Sequence, residues 1–194
     1  PTISTEQREK ILQEYSPNSR CVQFDALKLM KKAELREIFT GQDVVYIYHN
    51  QVDGRGDKPA TENEVFNACE EAIEEIHNLI RRISSQANTH HFVVTADHGF
   101  IYKRDKLSES DKIGGSSLSS GKYGQRYIVS ETPLGADGVL SLPLSSVNND
   151  NLFVSYPLGT DIFKGGGGGQ NFVHGGSSPQ ELLIPIVEVK VDKG

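Results

Sequence analysis

The sequence predicts an α/β fold: a mixed sheet with a parallel βαβ core flanked by helices, and an antiparallel β elaboration following it. Three observations carry this. Val44 to Tyr48 and Phe92 to Ala96 are short apolar runs rich in β-branched residues, and between them apolar residues recur at three- and four-residue steps over more than five turns. After residue 100 the chain breaks into short strand-like runs separated by turn residues. Strand, long helix, strand is the pattern of a parallel crossover, whereas closely spaced short strands favour antiparallel pairing.

Taken in order, residues 1–42 read as a helical lead-in in two pieces. Ser4 with Gln7 forms a capping-box pattern before a short polar helix that Pro17-Asn18-Ser19 ends. Leu27, Met30, Leu35, Ile38 and Phe39 then predict a second helix, closed by a left-handed Gly41. Residues 43–100 form the βαβ core: a buried strand at 43–48, a polar Asp/Gly loop from His49 to Thr61, a helix over 62–86 and a strand at 92–96. Thr61 with Glu64 repeats the capping-box pattern, and Val65, Cys69, Ala72, Ile73, Ile76, Leu79, Ile80 and Ile83 mark the apolar face of the long helix.

Residues 101–164 read as a β-rich insertion within the same domain, with strand-like runs at 126–130, 138–144 and 151–155. Residues 165–194 carry five consecutive glycines, the His174-Gly175-Gly176 sequence and a final strand from Leu182 to Val189, where Pro185 predicts an edge position or a bulge.

The chain has 194 residues and a net charge of -6, with no apolar run of the roughly 20 residues that span a bilayer. A membrane span is thereby excluded, and the acidic balance removes the electrostatic argument for direct nucleic-acid binding. Two cysteines, Cys21 and Cys69, lie far apart without metal-like spacing, which predicts free thiols and a cytoplasmic location. The first residue is Pro1, with no initiator Met and no leader, so the chain is expected to be a segment of a longer protein.

Chemistry concentrates in three clusters: Asp53 with Asp57, Asp97-His98-Gly99, and His174-Gly175-Gly176. Imidazole and carboxylate donors together suit zinc or manganese, and a glycine beside them lets the chain turn close to an ion. Each cluster alone has a plain structural explanation as an Asp/Gly turn or a loop histidine. Their joint placement is the stronger signal, because parallel strands ending at one sheet edge bring His49, Asp53, Asp57, Asp97 and His98 together. His49 reads as a core histidine or a neighbour of the ligands. The glycine run lacks the Gly-Lys-Ser/Thr ending of a phosphate loop and reads as a lid, and Ser116 to Ser120 lacks a Gly-x-Ser-x-Gly turn.

Tyr46-Ile47-Tyr48-His49-Asn50-Gln51-Val52-Asp53, Val93-Val94-Thr95-Ala96-Asp97-His98-Gly99-Phe100 and Phe172-Val173-His174-Gly175-Gly176-Ser177-Ser178-Pro179-Gln180-Glu181 together resemble the PglZ family of the alkaline phosphatase superfamily, which is associated with bacterial defence against phage in the BREX and phage-growth-limitation systems. The resemblance covers about residues 30 to 190 and implies an alkaline-phosphatase-like core that binds divalent metal (zinc, manganese or magnesium) and cleaves a phosphate ester, a phosphodiester or a related anionic ester. It implies Asp53, Asp57 and His174 on one metal and Asp97 with His98 on a second, with Asp57 standing where the phosphatases usually have a His, a change that would favour manganese or magnesium over zinc. Arg55, between Asp53 and Asp57, is a candidate phosphate clamp. The superfamily takes its Ser or Thr nucleophile and a further Asp from an earlier strand, which residues 1–43 do not match, so the nucleophile is expected outside this chain. Two readings follow: a metal-dependent hydrolase whose isolated segment is inactive, or a non-catalytic scaffold for other phage-defence proteins.

Overall fold

A computed structural model of the chain describes residues 4–105, 107–114, 122–165 and 171–192, and has the mixed helix and strand content of an α/β protein. The chain divides into two compact units: Pro1–Val52 with Phe66–Val94 and Val187–Gly194, and Asp53–Val65 with Thr95–Ile186.

In the first unit, helix α1 (Thr5–Tyr15) opens with the expected box, Gln7 N–H donating to Ser4 Oγ and Ser4 N–H to Gln7 Oε1, both at 3.3 Å. The lead-in is not purely helical, however. Strand β1 (Ser19–Gln23) follows and pairs in parallel with β2 (Val44–Tyr48), in the register Ser19 with Val44 through Gln23 with Tyr48. Cys21 and Val22 are its only apolar side chains, so no hydrophobic alternation marks it; a backbone ladder and a 2.8 Å bond from Cys21 N–H to Glu9 Oε2 hold it.

The second predicted helix is two, α2 (Phe24–Leu29) and α3 (Lys32–Phe39). At the break Arg82 donates to the carbonyls of Leu27 (2.9 Å), Lys28 and Met30, satisfying acceptors that the end of α2 leaves open, while Met30 N–H bonds back to Leu27 O. Glu34 then accepts from Lys31 N–H at 2.6 Å and restarts the helix. Gly41 has φ +75°, in keeping with a left-handed stop.

Helix α5 (Val65–Ala87) is the long crossover helix, and strand β3 (His91–Thr95) follows it. Leu79 and Ile83 of α5 share one core with Phe24, Leu27 and Leu35, against which Val22, Ile47 and Phe92 pack. Among the described residues β2 pairs with β1, and β3 with β12 (Ile186–Lys190), rather than β2 with β3. Nor is β2 a buried strand: Val44 and Tyr46 are exposed, because only the opposite side chains of the strand, such as Ile47, reach the core under α5.

Helix α4 (Gln51–Gly56), in what reads as a loop, carries the chain into the second unit. Thr61 does not cap the long helix: its hydroxyl donates to Arg55 O at 2.8 Å, and a 3-10 turn at Glu62–Glu64 leads into α5 instead. The four-stranded sheet of the insertion is antiparallel, with strands β6 (Lys122–Tyr123), β7 (Ile128–Ser130), β8 (Val139–Leu144) and β9 (Asn149–Pro157) in the order β6-β7-β9-β8.

Among the described residues four further two-residue strands pair off: β4 (Ile101–Tyr102) runs antiparallel to β11 (Phe172–Val173), whereas β5 (Lys112–Ile113) runs parallel to β10 (Ile162–Phe163), so the insertion is not wholly antiparallel. The final strand starts later than predicted, because Ser178-Pro179-Gln180-Glu181 opens a helical turn, α6 (Pro179–Leu182), with Pro at the position that needs no donor. Residues 115–121, which include Ser116 to Ser120, and 166–170, which include most of the glycine run, lie outside the described residues.

Candidate metal centre

The second unit brings two of the three motifs together through one small ladder. Strands β4 and β11 run antiparallel, with Tyr102 opposite Phe172 and Ile101 opposite Val173. Extending that register places the residues before β4 beside those after β11, so the loop carrying His98 meets the loop carrying His174. Their imidazoles stack at 4.3 Å between centroids, 7° from parallel. The third motif joins through Gly56, at the end of α4, which lies against the Phe172 ring so closely that a Cβ there would be 2.6 Å from it. Asp53, one turn earlier in α4, thereby faces the two histidines.

One donor atom each from Asp53, His98 and His174 lie within 4.8 Å of one another. Asp53 Oδ2 is 3.6 Å from His98 Nε2, and Asp97 Oδ1 is 3.8 Å from the same nitrogen. His98 Nδ1 lies 3.0 Å from Gly99 O, an atom that only accepts, so Nδ1 carries a proton and Nε2 is the nitrogen that faces the acids. His174 Nε2 is 3.2 Å from Asp57 Oδ1. Burial pushes the Asp53 carboxyl above its usual range; His98 and His174 pull it down, and Asp57 and Asp97 push it up further.

The expected residues thus group in one place, with a different partition. His98 shares a cluster with Asp53 and His174; Asp57 is the partner of His174; Asp97, its side chain 89% exposed, flanks His98. Arg55 lies between Asp53 and Asp57 in α4, where its carbonyl accepts from Thr61. His49 is engaged in the first unit, 2.9 Å from Glu75 Oε2 and edge-on to Phe24. The donor set fits a divalent cation: a carboxylate and two imidazoles converge, with two further carboxylates beside them.

Two residues that sequence reasoning missed sit behind this cluster. Arg126 and Glu181 form an ion pair at 0% and 1% side-chain exposure, with Nε and Nη2 donating to the two carboxylate oxygens at 2.9 and 2.8 Å. Burial alone would raise Glu181, but Arg126, the Ser178 hydroxyl and the Gly176 amide outweigh it and hold its carboxyl at about 2. Ser178-Pro179-Gln180-Glu181 is a readable helix start, whereas nothing local marks Arg126.

Residues 1–189 match the family model of the BREX system PglZ alkaline phosphatase-like domain. The chain belongs to the PglZ family. It is 36% identical over 192 residues to the alkaline phosphatase-like protein PglZ of Bacillus cereus (strain H3081.97), covering 98% of this chain and 22% of that protein. It is 31% identical over 188 residues to the alkaline phosphatase-like protein BrxZ of Escherichia coli O9:H4 (strain HS), covering 94% of this chain and 21% of that protein. This PglZ chain therefore spans about a fifth of the length of its curated relatives.

Proposed function

We propose that this PglZ chain supplies the Asp53–His98–His174 part of a divalent-metal centre that hydrolyses a phosphate ester, a phosphodiester or a related anionic ester within a phage-defence protein. The observation that carries the reading is the convergence of three donor atoms of the right chemistry within 4.8 Å, in a chain of an alkaline phosphatase-like family. Asp53, His98 and His174 would hold the ion, with Asp57 and Asp97 at its flanks. Two imidazoles with one carboxylate suit zinc or manganese better than magnesium, which prefers oxygen donors. Polarisation of an ester oxygen and offset of charge on the leaving group are the chemistry that a cation held there supplies.

The chain's own residues do the rest. Gly99 O keeps the proton on His98 Nδ1, so Nε2 is free to donate its lone pair. Asp57 orients His174 through the 3.2 Å contact, as a carboxylate partner of a ligating histidine does. Arg55 is placed by sequence to pair with phosphate oxygens, and the nucleophile is assigned to the remainder of the full-length protein. No helix among the described residues is long and apolar enough to cross a membrane.

Titration calorimetry with zinc and manganese on the 194-residue chain tests the centre. About one ion bound per chain, lost in Asp53→Ala, His98→Ala and His174→Ala, is the expected result. No heat at millimolar metal in a folded chain would overturn the autonomous site. For the reaction, a full-length protein carrying this segment should hydrolyse aryl phosphate esters or diesters and lose that activity with chelator and with Asp53→Ala; full metal occupancy without turnover would instead favour the scaffold reading.

A further inference from the structure

Glu181 touches both histidine loops at once. Its backbone carbonyl accepts from Gly99 N–H at 2.8 Å, immediately after His98, and its carboxylate Oε1 accepts from Gly176 N–H at 2.9 Å, two residues after His174. The approach is so close that side chains are excluded. A Cβ on Gly99 would lie 2.1 Å from Gln180 O, and one on Gly176 would lie 2.7 Å from Arg126 Nη2 and 2.8 Å from Glu181 Oε2. Gly175, between His174 and Gly176, has φ +91°, so the chain turns there in a conformation that side chains disfavour.

Arg126 fixes the carboxylate in turn. With Nε and Nη2 on Glu181, its Nη1 donates to the carbonyls of Gly159 (2.9 Å) and Asp161, so the guanidinium is tied to the chain between β9 and β10. A planar fork with four of its five N–H groups engaged in a dry site defines one position for its partner. Neither side chain lies in the cluster of ligand atoms, so the pair is outside the metal centre and behind both loops that form it.

We propose that Glu181, locked by Arg126, is the positioning residue that holds the His98 and His174 loops together so that both imidazoles reach one cation. The inference rests on the metal-centre reading for its purpose, but the geometry it asserts exists without the ion. Glu181 also accepts from Ser178 N–H and Oγ at the start of α6, so a purely local role in that turn is the competing explanation.

The test uses the 194-residue chain with Glu181→Met, Glu181→Gln and, as a control, Leu35→Ala, a fully buried core residue of the other unit. The first readout is the cross-peak between the imidazole protons of His98 and His174 in nuclear Overhauser spectra without metal, and the second is zinc affinity by calorimetry, both well below each variant's melting temperature. Glu181→Met removes the bond to Gly176 N–H but leaves the backbone bond to Gly99 N–H, so the His174 loop should shift, weakening the cross-peak and lowering zinc affinity about tenfold to a hundredfold, the range typical of groups behind metal ligands. Glu181→Gln, which keeps an acceptor for Gly176 N–H, should lose less. Leu35→Ala should keep both despite its lower stability.

If Glu181→Met and Glu181→Gln retain the cross-peak with zinc affinity within twofold of the parent, the positioning role is overturned. If Glu181→Met does not fold, the same judgement falls on Glu181→Gln. A parent chain that shows the cross-peak but binds no zinc defeats the metal reading, and the cross-peak alone then decides whether Glu181 positions the rings.

Discussion

Both units have apolar cores, in the second around Ile101, Ile162 and Val173 and around Ile128, Leu134 and Phe163, but only the second sets a buried ion pair among the described residues beside its candidate site. In the first, Leu27, Leu35, Leu79 and Ile83 are buried against one another, and strands dock on that core through Val22, Ile47 and Phe92. In the second, the loops that carry the histidines are joined by the β4–β11 ladder and are also tied to Glu181, whose buried carboxylate accepts from a guanidinium, two backbone amides and a hydroxyl. Apolar packing is roughly additive and tolerates small errors, since a lost methylene costs its own burial and a cavity. A buried charged network behaves otherwise, because each member is satisfied only while the rest are present. The candidate metal centre is built on the second kind of support, which fixes positions more sharply and fails more abruptly.

The largest expected effect breaks that contrast directly. Arg126→Met strands the Glu181 carboxylate at 1% exposure, and removing one partner of such a pair costs about 3–5 kcal/mol. Pairing it with Glu181→Gln removes the uncompensated charge while keeping a carbonyl for Gly176 N–H, so the double variant should recover a good part of the loss. Urea denaturation of the single and double variants measures this. Strictly additive losses would mean that the pair is two independent contacts and that the second unit is packed no differently from the first.

How legible the molecule was follows the same division. The crossover helix α5, the strands β2 and β3 and the antiparallel character of the insertion's four-stranded sheet could be read because each is marked by periodicity or turn chemistry within a dozen residues. Strand β1 could not, since two apolar residues in five give no alternation and its stability lies in the ladder with residues 25 positions later. The α2–α3 break has its open carbonyls satisfied by Arg82, more than fifty residues away. In the site, Asp53, Asp57, Asp97, His98 and His174 were legible as residue types beside glycines, but their grouping was set by the β4–β11 ladder and by Gly56 under Phe172, both long-range. Arg126 had no signal at all, because a buried arginine looks like any other in sequence.

Acid should expose the same network with a smaller and graded effect. The Glu181 carboxyl is held at about 2 in the folded chain, against an ordinary value of 4.5 when the chain is unfolded. A depressed acid contributes its full stabilisation above the unfolded value and loses it as pH falls toward the folded one, so the drain runs from about pH 4.5 down to about 2. The difference in pKa corresponds to about 3 kcal/mol. Glu181→Gln removes that titration, so between pH 5 and 3 its stability should fall less steeply than the parent's when followed by urea denaturation. Parallel slopes would show that Glu181 ionises no differently in the folded chain.

The smallest effect sharpens the comparison at the level of one hydroxyl. Ser4 and Thr61 open the same sequence pattern, Ser-x-x-Gln and Thr-x-x-Glu, yet only Ser4 caps its helix, receiving Gln7 N–H at 3.3 Å. Thr61 turns its hydroxyl back to Arg55 O, while Glu64 N–H is satisfied by the Thr61 backbone carbonyl at 2.9 Å, which substitution leaves in place. Ser4→Ala should therefore free the Gln7 amide and cost about 1 kcal/mol of local stability, seen as faster hydrogen exchange at Gln7. Thr61→Ala should leave exchange at Glu64 unchanged and loosen the end of α4 instead. Faster exchange at Glu64 would mean that Thr61 caps the crossover helix after all, and that the pattern reads the same way in both places.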